Sequence, residues 1–262
     1  MRLVIVTGAS GALGNAYINA LSKHWDSLCI GISRQKVHSK SNDVTYIENL
    51  DLLDSESVRK QIDKELPFSR VKEVLLVHPV GKFKFEESKS PEVDIDGDGI
   101  DDEVYASNVK TFNNVKNPLL ELAEQTGNIS DLTLCAFGSV SDRYKVPFWI
   151  SYSKSKDILR QHISGMARQS GKNVNIKGVF VNVSSVNTGN ERQLRPYADM
   201  THWLQPDEIV DDSVDVLIRS RIRNMEMDVF KAITGFDPAT YYSESEVVKR
   251  WRKDMGKEYN LA

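Results

Sequence analysis

The stretch that most restricts the fold is the N-terminal run from Leu3 to Leu21. Leu3 to Val6 is apolar and rich in β-branched residues, which reads as a strand buried on both faces. Thr7-Gly8-Ala9-Ser10-Gly11-Ala12-Leu13-Gly14 comes next, and Ala16, Tyr17, Ala20 and Leu21 then recur at helical spacing. Strand, glycine-rich turn and helix together make a phosphate-binding unit. Glycine permits positive φ and a close backbone approach, while the helix N-terminus supplies N–H donors and positive potential. The same residues can also make a plain strand-to-helix turn, so the reading leans on the rest of the chain.

Beyond Leu21, strand and helix patterns alternate. Ser27 to Ile32 reads as a second strand ending in Ser33-Arg34-Gln35, and Val44 to Ile47 as a third, followed by Asp51-Leu52. Asp54 or Ser55 caps a helix through about Leu66. Val74 to Val77, Leu132 to Phe137 and Val174 to Val183 read as the next three strands, and Val229 to Ile233 as the last. This alternation predicts an α/β fold: a Rossmann-type, doubly wound parallel sheet in three α/β/α layers, one domain over residues 1–262. Such sheets bind ligands at the carboxyl ends of their strands. Thr7, Arg34, Asp51, His78 and Ser139 all fall at such ends. At the tip of the second strand, a carboxylate would bind a ribose 2′-hydroxyl, whereas an arginine accommodates a 2′-phosphate. Ser33-Arg34 offers no carboxylate, which favours NADP over NAD; a solvated surface arginine is the bland alternative.

The stretch from Ser139 to Lys156 carries the candidate chemistry. Tyr152 lies thirteen residues after Ser139, and Lys156 four after Tyr152. Helix positions i and i+4 share a face. An ammonium beside a phenol favours the phenolate and is expected to lower the tyrosine pKa, making it a usable general acid or base. Ser139, at the end of an apolar strand, can hydrogen-bond the same substrate oxygen. An ordinary amphipathic helix with a surface lysine shows the same spacing.

Composition excludes several classes. The formal net charge is −3, so neither nucleic acid nor a membrane surface is an expected partner. Cys29 and Cys135 lie in apolar runs without disulfide or zinc spacing, which fits buried thiols in a reducing cytoplasm. No run approaches a membrane span, and the few apolar residues before Thr7 are too short for a signal peptide.

Two further stretches stand out. Asp94-Ile95-Asp96-Gly97-Asp98-Gly99-Ile100-Asp101-Asp102-Glu103 alternates aspartate as calcium loops do, so Asp94, Asp96, Asp98 and Asp102 are candidate ligands. A solvated acidic loop ahead of a helix N-terminus is the other reading. Residues 189–205 form a candidate lid holding Arg192, Arg195, Tyr197, Met200, His202 and Trp203. With Phe148 and Trp149 it suggests a partly aromatic pocket, with a basic residue for an acidic substrate group. The tail over about 243–258 reads as an amphipathic helix.

On these motifs the chain resembles the short-chain dehydrogenases/reductases, in a divergent form close to their classical branch, from Thr7 to roughly Gly235. Asn108, Ser139, Tyr152 and Lys156 match that family's catalytic positions. The resemblance implies proton donation by Tyr152, a pKa-lowering and ribose-binding Lys156, carbonyl polarisation by Ser139 and a water held by Asn108. It implies cofactor contacts at Gly8, Ser10, Gly11, Leu13, Gly14, Ser33, Arg34, Asp51, Leu52, Gly81, Tyr152, Lys156 and Thr188. The implied function is NADPH-dependent reduction of a small-molecule carbonyl, or oxidation of the alcohol, in a cytoplasmic homodimer or homotetramer. A non-catalytic NADP-binding redox sensor or scaffold is the alternative. Three departures from the family pattern are Ala12 in the glycine turn, His78-Pro79-Val80-Gly81 after the fourth strand and Val183-Ser184 after the sixth.

Overall fold

The computed structural model describes residues 1–24, 27–65, 70–86, 93–144, 146, 148–169, 173–231, 234–235 and 237–257. Its strands are β1 (Arg2–Thr7), β2 (Ser27–Ile32), β3 (Val44–Ile47), β4 (Glu73–His78), β5 (Asp131–Ser139), β6 (Asn175–Val183) and β7 (Asn224–Val229). They form one sheet in the order β3-β2-β1-β4-β5-β6-β7, every neighbouring pair parallel. The order reverses between β1 and β4, and that switch point opens a crevice at the carboxyl ends.

The central strands are apolar throughout because helices cover both faces. On one face α1 (Ala12–Leu21) and α8 (Pro206–Arg219) bury Tyr17, Ile18, Leu21, Ile209 and Leu217 against Val4, Val6 and Val181. On the other, α2 (Ser55–Glu65), α4 (Thr111–Thr126) and α6 (Ile150–Gln169) bury Val58, Phe112, Leu119 and Leu159 against Leu3, Ile5, Leu76 and Leu134. Asp54 is the cap of α2, accepting from Ser57 N at 3.0 Å. Cys29 and Cys135 are free and fully buried.

The remaining α-helices are α3 (Asp102–Tyr105), α5 (Val140–Arg143), α7 (Gly189–Leu194), α9 (Pro238–Tyr241) and α10 (Glu244–Asp254). A third apolar cluster joins α10 to the crevice through Val146, Trp149, Tyr242, Val247 and Trp251. No described helix is long and apolar enough to cross a membrane.

The last strand departs from expectation. β7 ends at Val229, where the sequence predicts a strand to begin. The apolar run 229–233 suggests a buried strand, but β7 is an edge strand with one wet face. Met225, Met227 and Val229 turn inward, while Asn224, Glu226 and Asp228 stay exposed. Ile233, the predicted helix end Leu66 and residue 258 of the predicted tail lie outside the described residues.

Candidate active site

The glycine turn is held by its own backbone. Gly8 has φ +64°, and Gly11 N donates to Gly8 O at 2.8 Å. A Cβ at Gly14 would collide with the Gly8 carbonyl, so α1 packs on the turn only because that side chain is missing. Ser33 Oγ donates to Ser10 Oγ at 2.8 Å, tying the tip of β2 to the turn. Arg34 beside it is exposed, and Asp51 closes the next loop by accepting from Leu53 N at 3.0 Å.

These residues line one crevice of about 860 Å³. Gly8, Ser10, Gly11, Leu13, Gly14, Ser33, Arg34, Asp51 and Leu52 lie at one end; Gly81, Ser139, Tyr152, Lys156 and Thr188 line it too. Residues far apart in sequence therefore meet in a single cleft, and the glycine cradle with its free N-terminal turn fits a dinucleotide phosphate.

Asn108 does not line this crevice. It is fully buried within a π-helical turn, Ala106–Lys110, between α3 and α4. Its Nδ2 donates to Lys82 O at 2.8 Å and to Ser155 Oγ at 3.0 Å, and its Oδ1 accepts from Lys82 N at 3.1 Å. Both ends of the amide are engaged, so Asn108 braces the segment after β4 against α6. Gly81 closes the brace: a Cβ there would meet Asn108 Oδ1 and stand 3.0 Å from Lys156 Nζ.

Tyr152 and Lys156 share a face of α6, with Lys156 Nζ 5.4 Å from the centre of the tyrosine ring. The electrostatics run opposite to the expectation from spacing. The Tyr152 phenol is pushed up rather than down, first by burial, then by the charges of Glu191 and Asp142, with the Ser139 side chain opposing. Lys156 is pulled down to about 8 by burial, with Asp142 opposing. The charges of Glu191 and Asp142 add to the desolvation of the phenol, and the ammonium one turn away does not offset it. Ser139 ends β5 as the cap of α5, accepting from Ser141 N at 3.2 Å.

His78 fills the end of β4. Its Nδ1 is 2.8 Å from Thr7 Oγ1 and its Nε2 is 3.2 Å from Thr111 Oγ1, linking β1 to α4. Burial, with Lys156 adding to it, holds the imidazole neutral down to about pH 3.

Three contributors carried no local signal in the sequence. Glu86 is buried, and its carboxylate takes Ser151 N at 2.9 Å and the Ser151 hydroxyl, capping the helix that bears Tyr152. The two residues are 65 positions apart. Glu191 of α7 and Trp251 of α10 line the crevice from chain segments beyond α6. Of the arginines expected to meet an acidic substrate, Arg192 is exposed, and Arg195 is buried in ion pairs with Asp254 and Glu191.

The aspartate loop does not gather a ligand set. The Asp94 carboxylate accepts from Asp98 N and Gly99 N at 3.0 and 2.9 Å, Asp98 from Ile100 N at 2.9 Å, and Asp102 from Ile95 N at 3.3 Å. Asp96 is exposed. The carboxylates serve the loop's own backbone, and no group of three or more His, Cys, Asp or Glu among the described residues is placed to hold a metal ion. The loop instead docks on α6: Lys154 Nζ donates to Gly99 O, and Asp101 N to Ser151 Oγ, both at 2.8 Å.

Solved structures share this fold. A short chain dehydrogenase from Salmonella enterica serovar Typhi superimposes with TM-score 0.66 at 19% identity, over 87% of this chain and 95% of that one. The fold is that of the short-chain dehydrogenases/reductases. A 3-ketoacyl-(acyl-carrier-protein) reductase from Brucella melitensis, complexed with NADH, has the same fold at TM-score 0.68 and 15% identity, over 87% and 96% of the two chains. A Shigella flexneri structure named as a short chain dehydrogenase, complexed with NADP, gives TM-score 0.66 and 18% identity over 87% and 96%. No protein-family model and no curated protein matches the chain.

Proposed function

We propose that this chain is a divergent short-chain dehydrogenase/reductase that reduces a small-molecule carbonyl with NADPH, or oxidises the corresponding alcohol. The observation that carries this reading is the convergence of Ser139, Tyr152 and Lys156 on the crevice that also holds the glycine turn. A nicotinamide cofactor bound there supplies a hydride to the carbonyl carbon. The Tyr152 phenol donates its proton to the carbonyl oxygen, and Ser139 Oγ hydrogen-bonds that same oxygen. A raised phenol pKa keeps the proton on Tyr152 until the oxygen becomes basic, which suits reduction. Lys156, braced near Asn108 and Gly81, steadies the charge left on the phenol. Exposed Arg34 and the absence of a carboxylate at the β2 tip support the 2′-phosphate form of the cofactor. A homodimer or homotetramer in the cytoplasm belongs to the same reading.

Calorimetric binding of NADPH and NADH, followed by a screen of ketones and aldehydes, tests it. NADPH is expected to bind more tightly, and Arg34→Ala to weaken it about tenfold while sparing NADH. Tyr152→Phe should abolish turnover and leave nucleotide binding intact. Failure of both nucleotides to bind would overturn the proposal. The departures at His78-Pro79-Val80-Gly81 and Val183-Ser184 favour a second reading, a non-catalytic NADP-binding redox sensor or scaffold, for which cofactor binding without any turnover is the expected result.

A further inference from the structure

The crevice contains a charge that the proposed reduction leaves unused. Glu191 lies in α7, three residues past Thr188, and lines the crevice with Tyr152. Among the charges acting on the Tyr152 phenol, that of Glu191 is the strongest. Its cationic partner among the described residues, Arg195, is shared. Arg195 Nη1 donates to Glu191 Oε1 at 2.9 Å, but Nε and Nη2 both go to Asp254 Oδ2, at 3.1 and 2.6 Å. The guanidinium is held there between Trp203 and Trp251, 5.1 and 5.2 Å from the ring centres. Asp254 takes two of the guanidinium's contacts and is also acted on by Arg250, so Glu191 holds the smaller share of Arg195. Burial raises the Glu191 pKa, because a carboxylate is costly away from water unless a further partner reaches it.

A second observation points to a ligand in the same place. Ser141 and Trp149 line the crevice and are only 2% and 5% exposed. Their Oγ and Nε1 are buried without a hydrogen-bond partner among the described residues. Phe83, Trp149 and Trp251 add aromatic walls, which suit a cation as well as an apolar body.

We propose that Glu191 recognises a positively charged nitrogen on the molecule being reduced, so that the substrate class is an aminated carbonyl compound and the product an amino alcohol. The inference rests on reading the crevice as a carbonyl-reducing site. A carboxylate has about four acceptor directions; Arg195 fills one and the Ser185 hydroxyl another, which leaves room for ammonium N–H donors. The Ser141 hydroxyl can take another of those donors, and Trp149 Nε1 can donate to a substrate oxygen. The oxidised nicotinamide ring is the other carrier of positive nitrogen in such a site, and the test separates the two sources.

The experiment titrates 2-amino-1-phenylethanol and the equal-sized neutral 1-phenyl-1-propanol into the whole chain, with and without NADPH, by calorimetry. The amino alcohol is expected to bind about tenfold more tightly. Glu191→Gln should erase that preference, and Glu191→Asp should keep its sign. Equal binding of the two alcohols, no binding of the amine, or a preference that survives Glu191→Gln overturns the inference. NADP and NADPH are titrated in parallel. If Glu191→Gln weakens NADP alone and the wild type shows no amine preference, the cation is the nicotinamide and the substrate assignment falls. If neither nucleotide binds but the free protein still prefers the amine, the proposed function falls and the Glu191 site stands. Should Glu191→Gln not fold, the wild-type pair and Glu191→Asp decide the matter.

Discussion

Lys156 Nζ stands 5.4 Å from the centre of the Tyr152 ring, one turn further along α6. Burial presses each group toward its neutral form, raising the phenol and bringing the amine down to about 8. A site in this state holds its proton on the tyrosine and bears a cost for every charge kept in the wall.

That cost is measurable in Lys156→Met. The folded value of about 8 lies below the ordinary 10.5. Below pH 8 the amine is charged in both folded and unfolded chains, and the fold bears the whole cost of burying it. As pH rises from 8 toward 10.5, the unfolded chain still binds a proton that the folded chain has released, so wild-type stability climbs. Lys156→Met should therefore be more stable than wild type by on the order of 3 kcal/mol near neutral pH, a gain that disappears above the ordinary lysine value. Urea midpoints at the two pH values check this; a constant difference would contradict it.

Gly81→Ala should damage the brace. Its Cβ would press on Asn108 Oδ1 and stand 3.0 Å from Lys156 Nζ. A loss of about 1–3 kcal/mol is expected, with turnover lost as Lys156 is displaced. Gly165→Ala in the same helix as Lys156 is the comparison, since its Cβ meets nothing within 4 Å. It should gain about 0.5–1 kcal/mol from reduced backbone freedom. Thermal melts of the pair test both signs.

Glu86→Ala should loosen the start of α6. It strands Ser151 N and the Ser151 hydroxyl in a buried site, at a cost of about 2–3 kcal/mol. Glu86→Gln keeps one acceptor and should lose less. Hydrogen exchange at the first turn of α6 reads the effect directly; unchanged protection there would rule out this capping role.

His78 sets an acid limit. The imidazole is neutral in the fold down to about pH 3, against an ordinary 6.5. As pH falls below 6.5 the unfolded chain takes up a proton that the fold refuses, and stability drops by about 1.4 kcal/mol per pH unit. His78→Asn lacks that slope. Its stability, measured by denaturant between pH 6.5 and the onset of acid unfolding, should fall less steeply than wild type.

The parallel sheet and much of the crevice are legible in the chain because they rest on local signals. β2 and β3 coincide with their apolar runs, and the glycine turn, Arg34, Ser139, Tyr152 and Lys156 reach one crevice as the strand order requires. Alternation of short apolar runs with helical spacing determines a doubly wound sheet, and that sheet determines where strand ends gather. β7 is hard to place from sequence because a half-wet edge strand carries alternating Met and acidic residues, a weaker signal than the apolar run after it.

Tertiary structure decided everything that depends on distance in sequence and on exclusion of water. Glu86 caps Ser151, Arg195 is claimed by Asp254 and Glu191, and the carboxylates of Asp94, Asp98 and Asp102 turn to their own backbone. Spacing places Lys156 beside Tyr152 and suggests a lowered phenol pKa. The fold buries the pair, and desolvation, which no sequence spacing reports, outweighs the attraction and reverses the sign.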